Sequence, residues 1–253
     1  MMSQISSPLQ SKRVEIVTDD ANLTFYHGVT AGLPVALGYI PIAITFGLLA
    51  NAAGVPNHVS IMMSLLVFAG ASQFVGVSLL AAGVTHWEIV LTTFILNLRH
   101  FLMTASVSQR IRQGTSKKTL ALTAFGVTDE TFTVASLRRE PELSPAFVLG
   151  LNMVAFSAWN IGTWIGVFLG AGLPASLQAS MGIALYAMFI GLLIPSMRDS
   201  RAVLLISLLA AGIHSLLQWL PPLHGLSTGW TIIITTVLAA TAGALFYPER
   251  SDT

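Results

Sequence analysis

The central stretch of the chain, residues 93–104, reads TFILNLRHFLMT, with Arg99 and His100 set among apolar residues. Apolar residues continue on both sides, from Ile89 to Val107. About 20 apolar residues suffice to cross a bilayer as a helix, so this stretch predicts a transmembrane helix. An arginine inside such a helix costs about 2.5–3.5 kcal/mol on insertion scales, and we therefore expect it to face protein or water rather than lipid.

Helical geometry separates the two basic side chains. Successive residues of a helix point about 100° apart, so Arg99 and His100 cannot share a face. Arg99 lines up with Thr92 and Ser106, whereas His100 lies on a polar stripe with Thr93, Asn97, Thr104 and Ser108. We interpret this as one face toward a polar pathway and another toward a buried partner charge. The alternative is that the stripe only bonds neighbouring helices and that Arg99 forms a structural ion pair.

Composition places the chain in the membrane. Of its 253 residues, 54% are hydrophobic and 9% are charged, and the mean hydropathy is +0.75. Soluble domains carry about 25% charged residues, so we predict an all-α polytopic membrane protein. The absence of cysteine excludes disulfides and thiolate sites. Histidines without ligand spacing, no glycine-rich phosphate loop and no basic run argue against metal, cofactor, ATP and nucleic-acid binding.

Eight apolar segments follow a polar head. We expect residues 1–24 to form a polar cytoplasmic tail without a cleaved signal peptide, and residues 25–250 to form one transmembrane transporter domain. The segments run over residues 25–53, 59–82, 88–109, 119–137, 146–170, 178–197, 202–219 and 228–247.

Segment one contains Pro34 and Pro41 together with several glycines. Proline removes a hydrogen-bond donor and clashes inside a helix, so the segment predicts a broken helix or two half-helices. Discontinuous helices are where transporters tend to bind substrate. The alternative is an ordinary proline kink.

Segments two and four carry polar groups at membrane depth. In segment two, small residues at Gly70, Ala71, Ser72 and Gly76 allow close helix approach, and Gln73 needs a hydrogen-bond partner. Segment four holds Asp129 and Glu130, the only acidic residues inside an apolar segment apart from Glu88 at the edge of segment three. Either is the expected counter-charge of Arg99, and mutual repulsion favours a proton on one of them. The alternative for segment four is a solvated helix end.

Small residues also recur at fours in the later segments. They are Ala158, Gly162, Gly166 and Gly170 in segment five, and Ala239 and Gly243 in segment eight. Such faces promote helix association in lipid. A single compact bundle of this size does not obviously need so many small-residue faces, and we therefore expect a small partner subunit.

Charges in the loops predict the topology. Basic residues fall at Lys12, Arg13, Arg110, Arg112, Lys117, Lys118, Arg138, Arg139, Arg198, Arg201 and Arg250. The positive-inside rule places them in the cytoplasm. Eight simple crossings cannot place all the basic loops in the cytoplasm. Re-entrant segments one and four can do so, and both termini are then cytoplasmic. The chain would have six to eight membrane segments in all. The alternative is an external N-terminus with segment four crossing fully.

Ordered motifs along the chain resemble the AzlC family. They are Gly38-Tyr39-Ile40-Pro41, Phe46-Gly47, Ala69-Gly70-Ala71-Ser72-Gln73-Phe74, Leu98-Arg99-His100 and Ala124-Phe125-Gly126-Val127-Thr128-Asp129-Glu130. The resemblance covers roughly residues 25–250. It implies an inner-membrane subunit that exports L-valine and related apolar amino acids with a small AzlD-like membrane partner.

A zwitterionic substrate needs one anchor for its carboxylate and another for its ammonium group. We predict that Arg99 or backbone amides near Pro34–Pro41 hold the carboxylate, and that Asp129 or Glu130 holds the ammonium group or the coupling proton. The predicted substrate-binding residues are Tyr39, Pro41, Gly70, Ala71, Ser72, Gln73, Asn97, Arg99 and His100. Two other functions are an intramembrane enzyme using His100 with Asp129 or Glu130, and a non-transporting assembly subunit.

Overall fold

The described part of the chain is helical. The computed structural model describes residues 23–169, 193–220 and 225–247, with the isolated positions 172, 174, 176, 187, 190 and 191. Its helices include α1 Phe25–Ala52, α2 Asn57–Leu66, α3 Gly70–Ala81, α4 His86–Arg110, α5 Lys117–Phe125, α6 Asp129–Ser136, α7 Pro145–Leu169, α8 Arg201–Trp219 and α9 Thr228–Phe246. Residues 193–199 are also helical. The only extended pairing within these residues is a bridge between Ile111 and Leu143. The predicted all-α class is confirmed.

Within the described ranges, five helices are long and apolar enough to cross a membrane: α1, α4, α7, α8 and α9. The chain is therefore a polytopic helical membrane protein. Residues 1–22 of the predicted tail and most of segment six, residues 178–197, lie outside the described residues. Leu23 is buried and Thr24 caps α1, so these two residues belong to the folded part.

Helices α1 and α7 form a close parallel pair at the centre of the fold. A Cβ atom on Gly28 would collide with the carbonyl oxygen of Phe147, and one on Gly47 would collide with that of Thr163. The first pair lies near the start of both helices and the second near their ends, so the two helices run in the same direction. Glycine is needed at these crossings because the backbones touch.

The expectation of a broken segment one is wrong. Helix α1 runs without interruption over 28 residues, with Pro34 and Pro41 inside it, and it is long enough to cross rather than re-enter. Prolines are tolerated in membrane helices because neighbouring groups satisfy the freed backbone atoms, and lipid offers a broken helix no replacement for its lost hydrogen bonds. Close packing along α7 supports the helix over its whole length.

Segment two is broken instead, and it turns back on itself. Helices α2 and α3 are joined by residues 67–69, where Phe68 has a positive φ of 46°. Gln73 Nε2 donates to Ser64 Oγ at 2.9 Å, and Gly76 lies beside Met63. A straight helix rises about 1.5 Å per residue, so residues 9 and 13 positions apart would lie too far from each other for these contacts. We name α2–α3 hairpin 1 and residues 67–69 its tip.

Segment four forms a second hairpin, as its predicted re-entrant form requires. Helices α5 and α6 meet at residues 126–128, which we name the tip of hairpin 2. Arg110, at the end of α4, donates to the carbonyl oxygens of Ala135, Ser136, Arg138 and Glu140 beyond the hairpin. Hairpin 2 therefore enters and leaves at the end of the bundle where α4 finishes. We call this the basic end, after Arg110, Arg112, Lys117, Lys118, Arg138 and Arg139.

The two hairpins enter from opposite ends. Hairpin 1 follows α1 at the end where α1 finishes and α4 begins, and hairpin 2 follows α4 at the basic end. A long helix followed by a hairpin thus occurs twice, in opposite directions. Half-helices of 8 to 12 residues are about 12–18 Å long and cannot cross a bilayer, so both tips lie inside the protein.

The small-residue faces are used within the chain. Gly162 packs against Ala43 and the backbone of Ile40 in α1, and Gly243 in α9 packs against Ile206 in α8. For the described residues, the prediction that these faces exceed what one bundle needs is therefore wrong, because α1 and α8 cover them; Gly170 lies outside the described residues. They supply no argument for a partner subunit.

Candidate functional site

A small polar pocket lies where the two hairpin tips meet, and we call it the inner pocket. Its volume is about 20 Å³, the space of roughly one water molecule. It is lined by Tyr39, Phe68, Gly70, Ala71, Arg99, His100, Thr128, Asp129, Glu130 and Trp159. Seven of the predicted site residues meet here: Tyr39, Gly70, Ala71, Arg99, His100, Asp129 and Glu130.

The pocket contains one ion pair. Arg99 Nη1 lies 2.9 Å from Asp129 Oδ2, which identifies Asp129 rather than Glu130 as the counter-charge of the intramembrane arginine. The two side chains are 37% and 26% exposed. Neither side chain is therefore fully buried within the protein.

Glu130 has hydroxyl partners instead. The Tyr39 hydroxyl donates to Glu130 Oε2 and lies 2.7 Å from Thr128 Oγ1. Thr128 caps α6 through a reciprocal capping box with Thr131. No lysine or arginine among the described residues forms an ion pair with Glu130. This carboxyl group is therefore free to gain or lose a proton without breaking an ion pair.

His100 bonds the tip of hairpin 2 through one ring nitrogen, and its other ring nitrogen has no hydrogen-bond partner. Its Nδ1 lies 3.0 Å from the carbonyl oxygen of Val127, and a carbonyl only accepts, so Nδ1 carries the proton. Its Nε2 atom is buried without a partner. Arg99 and His100 were expected on separate faces, yet both line the pocket because the tip of hairpin 2 lies between their two directions.

The first turn of α3 presents backbone amides to the same pocket. Its N-cap residue, Ala69, supplies no side-chain hydrogen bond, so the amides of Gly70, Ala71 and Ser72 lack a side-chain cap. The Trp159 ring packs on Gly70 and closes the other side. A helix N-terminus with free amides favours an anion through these donors and the helix dipole.

Four predicted site residues lie elsewhere. Ser72 Oγ donates to Asn97 Oδ1 at 2.5 Å, which ties α3 to α4. Gln73 bonds Ser64 and accepts from Trp159 Nε1 at 3.1 Å, so it anchors hairpin 1 to α7. Pro41 lies inside α1, and its carbonyl accepts from Thr45. None of the four lines the inner pocket: Ser72, Gln73 and Asn97 line a neighbouring cavity of about 440 Å³, and Pro41 is part of a continuous helix. Their assignment to substrate binding stays a prediction.

Three lining residues were not predicted: Phe68, Thr128 and Trp159. Phe68 packs in an aromatic group, edge-to-face with Tyr39 and Phe156 and tilted against Phe125. Phe68 and Trp159 are ordinary apolar residues of membrane segments in the sequence, and nothing local marks them. Thr128 could have been found, because a threonine just before two acidic residues is a typical helix N-cap.

A larger cavity of about 660 Å³, which we name the vestibule, lies on the other side of the ion pair. Arg99 and Asp129 line both the vestibule and the inner pocket. Further lining residues are Met103, Phe132, Thr133, Pro195, Ser196 and Val203. The ion pair thus separates the inner pocket from the vestibule. Within the described residues, no three side chains of His, Cys, Asp or Glu are grouped as a metal site requires.

Comparison with known proteins places the whole inner pocket in a matched region. Residues 34–173, which include both hairpins, match the model of the family described as AzlC protein. The inner membrane protein YgaZ of Escherichia coli (strain K12) is 36% identical over 186 residues, covering 71% of this chain and 76% of that protein. An uncharacterized membrane protein of Archaeoglobus fulgidus is 33% identical over 176 residues, covering 69% and 76%.

A more distant relative carries a functional name. The branched-chain amino acid transport protein AzlC of Bacillus subtilis (strain 168) is 30% identical over 102 residues, covering 40% of this chain and 39% of that protein. No solved structure matches the chain.

Proposed function

This chain belongs to the AzlC family, and from that premise we propose that it exports L-valine and related apolar amino acids across the bacterial inner membrane. The relatives support membrane transport as the class of function. One observation carries the choice of substrate class: the uncapped N-terminus of α3 and the two carboxyl groups at the start of α6 line a single pocket. The partial positive charge of the α3 N-terminus and the negative charge of the carboxyl groups, lining one pocket, complement a zwitterion.

The carboxylate of the substrate binds the amides of Gly70 and Ala71, with Arg99 as the positive charge alongside. Half-helix N-termini hold anionic substrate groups in other transporters, for the same electrostatic reason. The ammonium group binds Glu130 and donates to His100 Nε2, which is available as an acceptor. This arrangement replaces the anchor predicted at Pro34–Pro41, because α1 has no interrupted backbone there.

The inner pocket must widen during transport. A volume of about 20 Å³ admits no amino acid, so the tips of hairpins 1 and 2 have to separate for binding. Hairpins that enter from opposite ends allow the pocket to open to one side at a time. Opening toward the vestibule requires the Arg99–Asp129 pair to part.

We assign the coupling proton to Glu130. Asp129 is neutralised by Arg99, whereas Glu130 is bonded by Tyr39 and has no basic partner among the described residues. A proton on Glu130 would weaken its attraction for the substrate ammonium group, which links proton binding to substrate release.

Two further proposals concern the membrane orientation and the assembly of the transporter. We propose that the basic end faces the cytoplasm, with both termini on that side, because the positive-inside rule applies to its loops. We also propose that a small AzlD-like membrane subunit completes the transporter.

Counterflow tests this function. Proteoliposomes containing the purified chain, with and without its partner, are loaded with unlabelled L-valine and assayed for uptake of labelled L-valine. We expect transient accumulation that is competed by other branched-chain amino acids but not by lysine. An absence of counterflow in both preparations, with Arg99→Ala and the wild-type protein indistinguishable, would favour an enzyme or an assembly subunit.

A further inference from the structure

A second buried carboxyl group lies far from the inner pocket, in the first turn of α4. Glu88 is 8% exposed, and Ser227, the N-cap of α9, donates to its Oε1 atom. A Cβ atom on Gly229 would collide with the carboxyl group, so glycine at that position lets α9 approach it. No lysine or arginine among the described residues pairs with Glu88.

Thr92 lies one turn further along α4 and points to the same place. Its Oγ1 atom is 2.9 Å from the position that a Cβ on Gly229 would take, next to the Glu88 carboxyl group. The residue is 0% exposed and its hydroxyl has no hydrogen-bond partner. Buried hydroxyls are nearly always bonded, so this one requires an explanation.

Three other helical threonines show what Thr92 does not do, although the Thr235 hydroxyl in α9 is also buried without a partner. Thr93, Thr133 and Thr163 each donate to the carbonyl four residues earlier, at 2.7, 2.7 and 3.0 Å. Thr92 has the same option at the carbonyl of Glu88 and leaves it unused. Its hydroxyl oxygen is therefore available as a ligand.

We propose that Glu88, Thr92 and Ser227 bind a monovalent metal cation of the sodium class between α4 and α9. Hard cations take oxygen ligands, and this group offers only carboxylate and hydroxyl oxygens. A single carboxylate balances a single positive charge. The cation engages the Thr92 hydroxyl and neutralises a carboxylate that would otherwise be costly to bury.

The position of the site indicates what it does. Glu88 and Arg99 lie 11 residues apart on one face of α4, about 16 Å along the helix, with the cation site at the opposite end from the vestibule. Binding between α4 and α9 sets the position of the helix that carries Arg99 and His100. This coupling to transport rests on the proposed function, whereas cation binding does not.

Thermal unfolding of the purified full chain in detergent tests the site without any transport assay. Sodium chloride is titrated against N-methyl-D-glucamine chloride at constant ionic strength and pH. A ligand that binds only the folded state raises the unfolding temperature with its concentration. We expect a sodium-dependent rise in the wild type, its loss in Glu88→Gln and Thr92→Val, and its retention in Thr92→Ser.

Thr93→Val, on the neighbouring face of the same helix, is the matched control and keeps the sodium-dependent rise. If Glu88→Gln does not fold, Thr92→Val decides, because it leaves the charge and the side-chain shape in place. No sodium response in the wild type, or an equal response in Thr92→Val and the wild type, overturns the proposal. A response to pH alone that Glu88→Gln abolishes identifies a proton site and overturns the metal site.

Discussion

Arg99 and Asp129 join the middle of α4 to the first residue of α6, with 2.9 Å between Nη1 and Oδ2. The pair forms the wall between a pocket the size of a water molecule and a vestibule of about 660 Å³. Both side chains are only partly buried and both line the vestibule, so the pair can part toward that space. Its position suits a gate on the path from the vestibule to the pocket.

Charge reversal tests the pairing. Arg99→Asp or Asp129→Arg alone should abolish valine efflux and lower membrane expression, because each places two like charges together. The double exchange should recover expression. Arg99→Ala should lower the free energy of unfolding by less than about 3 kcal/mol, because the pair is only partly buried. Expression measured by fluorescence of a C-terminal fusion gives the readout. A double exchange no better than either single variant, with Arg99→Ala fully active, would mean that the pair has no role.

Neutralising Glu130 should separate exchange from proton coupling. In Glu130→Gln proteoliposomes, valine-for-valine exchange should continue, while net efflux should no longer respond to an imposed pH gradient. Asp129→Asn should lower efflux because Arg99 loses its counter-charge, but the remaining efflux should keep its pH dependence, because the Asp129 carboxylate is already balanced by Arg99. Unchanged pH dependence in both variants would contradict a proton site in this pair.

The membrane orientation is open to direct labelling. The chain has no cysteine, so single cysteines report without background. Cysteines placed at residues 113–118 and 138–142 should both react with an impermeant maleimide from the cytoplasmic side, because Arg110 holds both loops at one end. Labelling of the two loops from different sides of the membrane is the outcome that contradicts hairpin 2.

The parallel α1–α7 pair can be tested with matched glycine substitutions in α1. Gly47→Ala should lower the free energy of unfolding by about 1–3 kcal/mol, since its Cβ collides with the Thr163 carbonyl. Gly38→Ala is the control, because no atom lies within 4 Å of its Cβ position, and it should be neutral or stabilising by up to about 1 kcal/mol. Equal unfolding temperatures for the two variants would argue against the close crossing.

The partner subunit should be needed for activity rather than for insertion. We expect this chain alone to insert and purify but to give weak counterflow, and co-expression with an AzlD-like subunit to restore it. Because α1 covers Gly162, Gly162→Leu should disrupt the chain itself, whether or not the partner is present. Full efflux from the single purified chain would refute the requirement.

The positions of the long helices could be predicted from the sequence alone. Segments expected at residues 25–53 and 146–170 appear as α1 Phe25–Ala52 and α7 Pro145–Leu169. This works because a backbone in lipid must satisfy its own hydrogen bonds, so an apolar stretch of that length has few alternatives to a helix. The same physics shows that Arg99 needs a counter-charge. It does not show which of two adjacent carboxylates supplies it.

Tertiary structure decided where the chain reverses and which groups meet. Residues 67–69 contain no glycine or proline, and Phe68 is held in its positive-φ turn among Tyr39, Phe125 and Phe156, which lie 29 to 88 positions away in the sequence. Conversely, Pro34 and Pro41 signal a break that packing against α7 prevents. Local pattern reports whether a residue faces lipid or a polar surrounding, whereas contacts between distant elements determine the inner pocket.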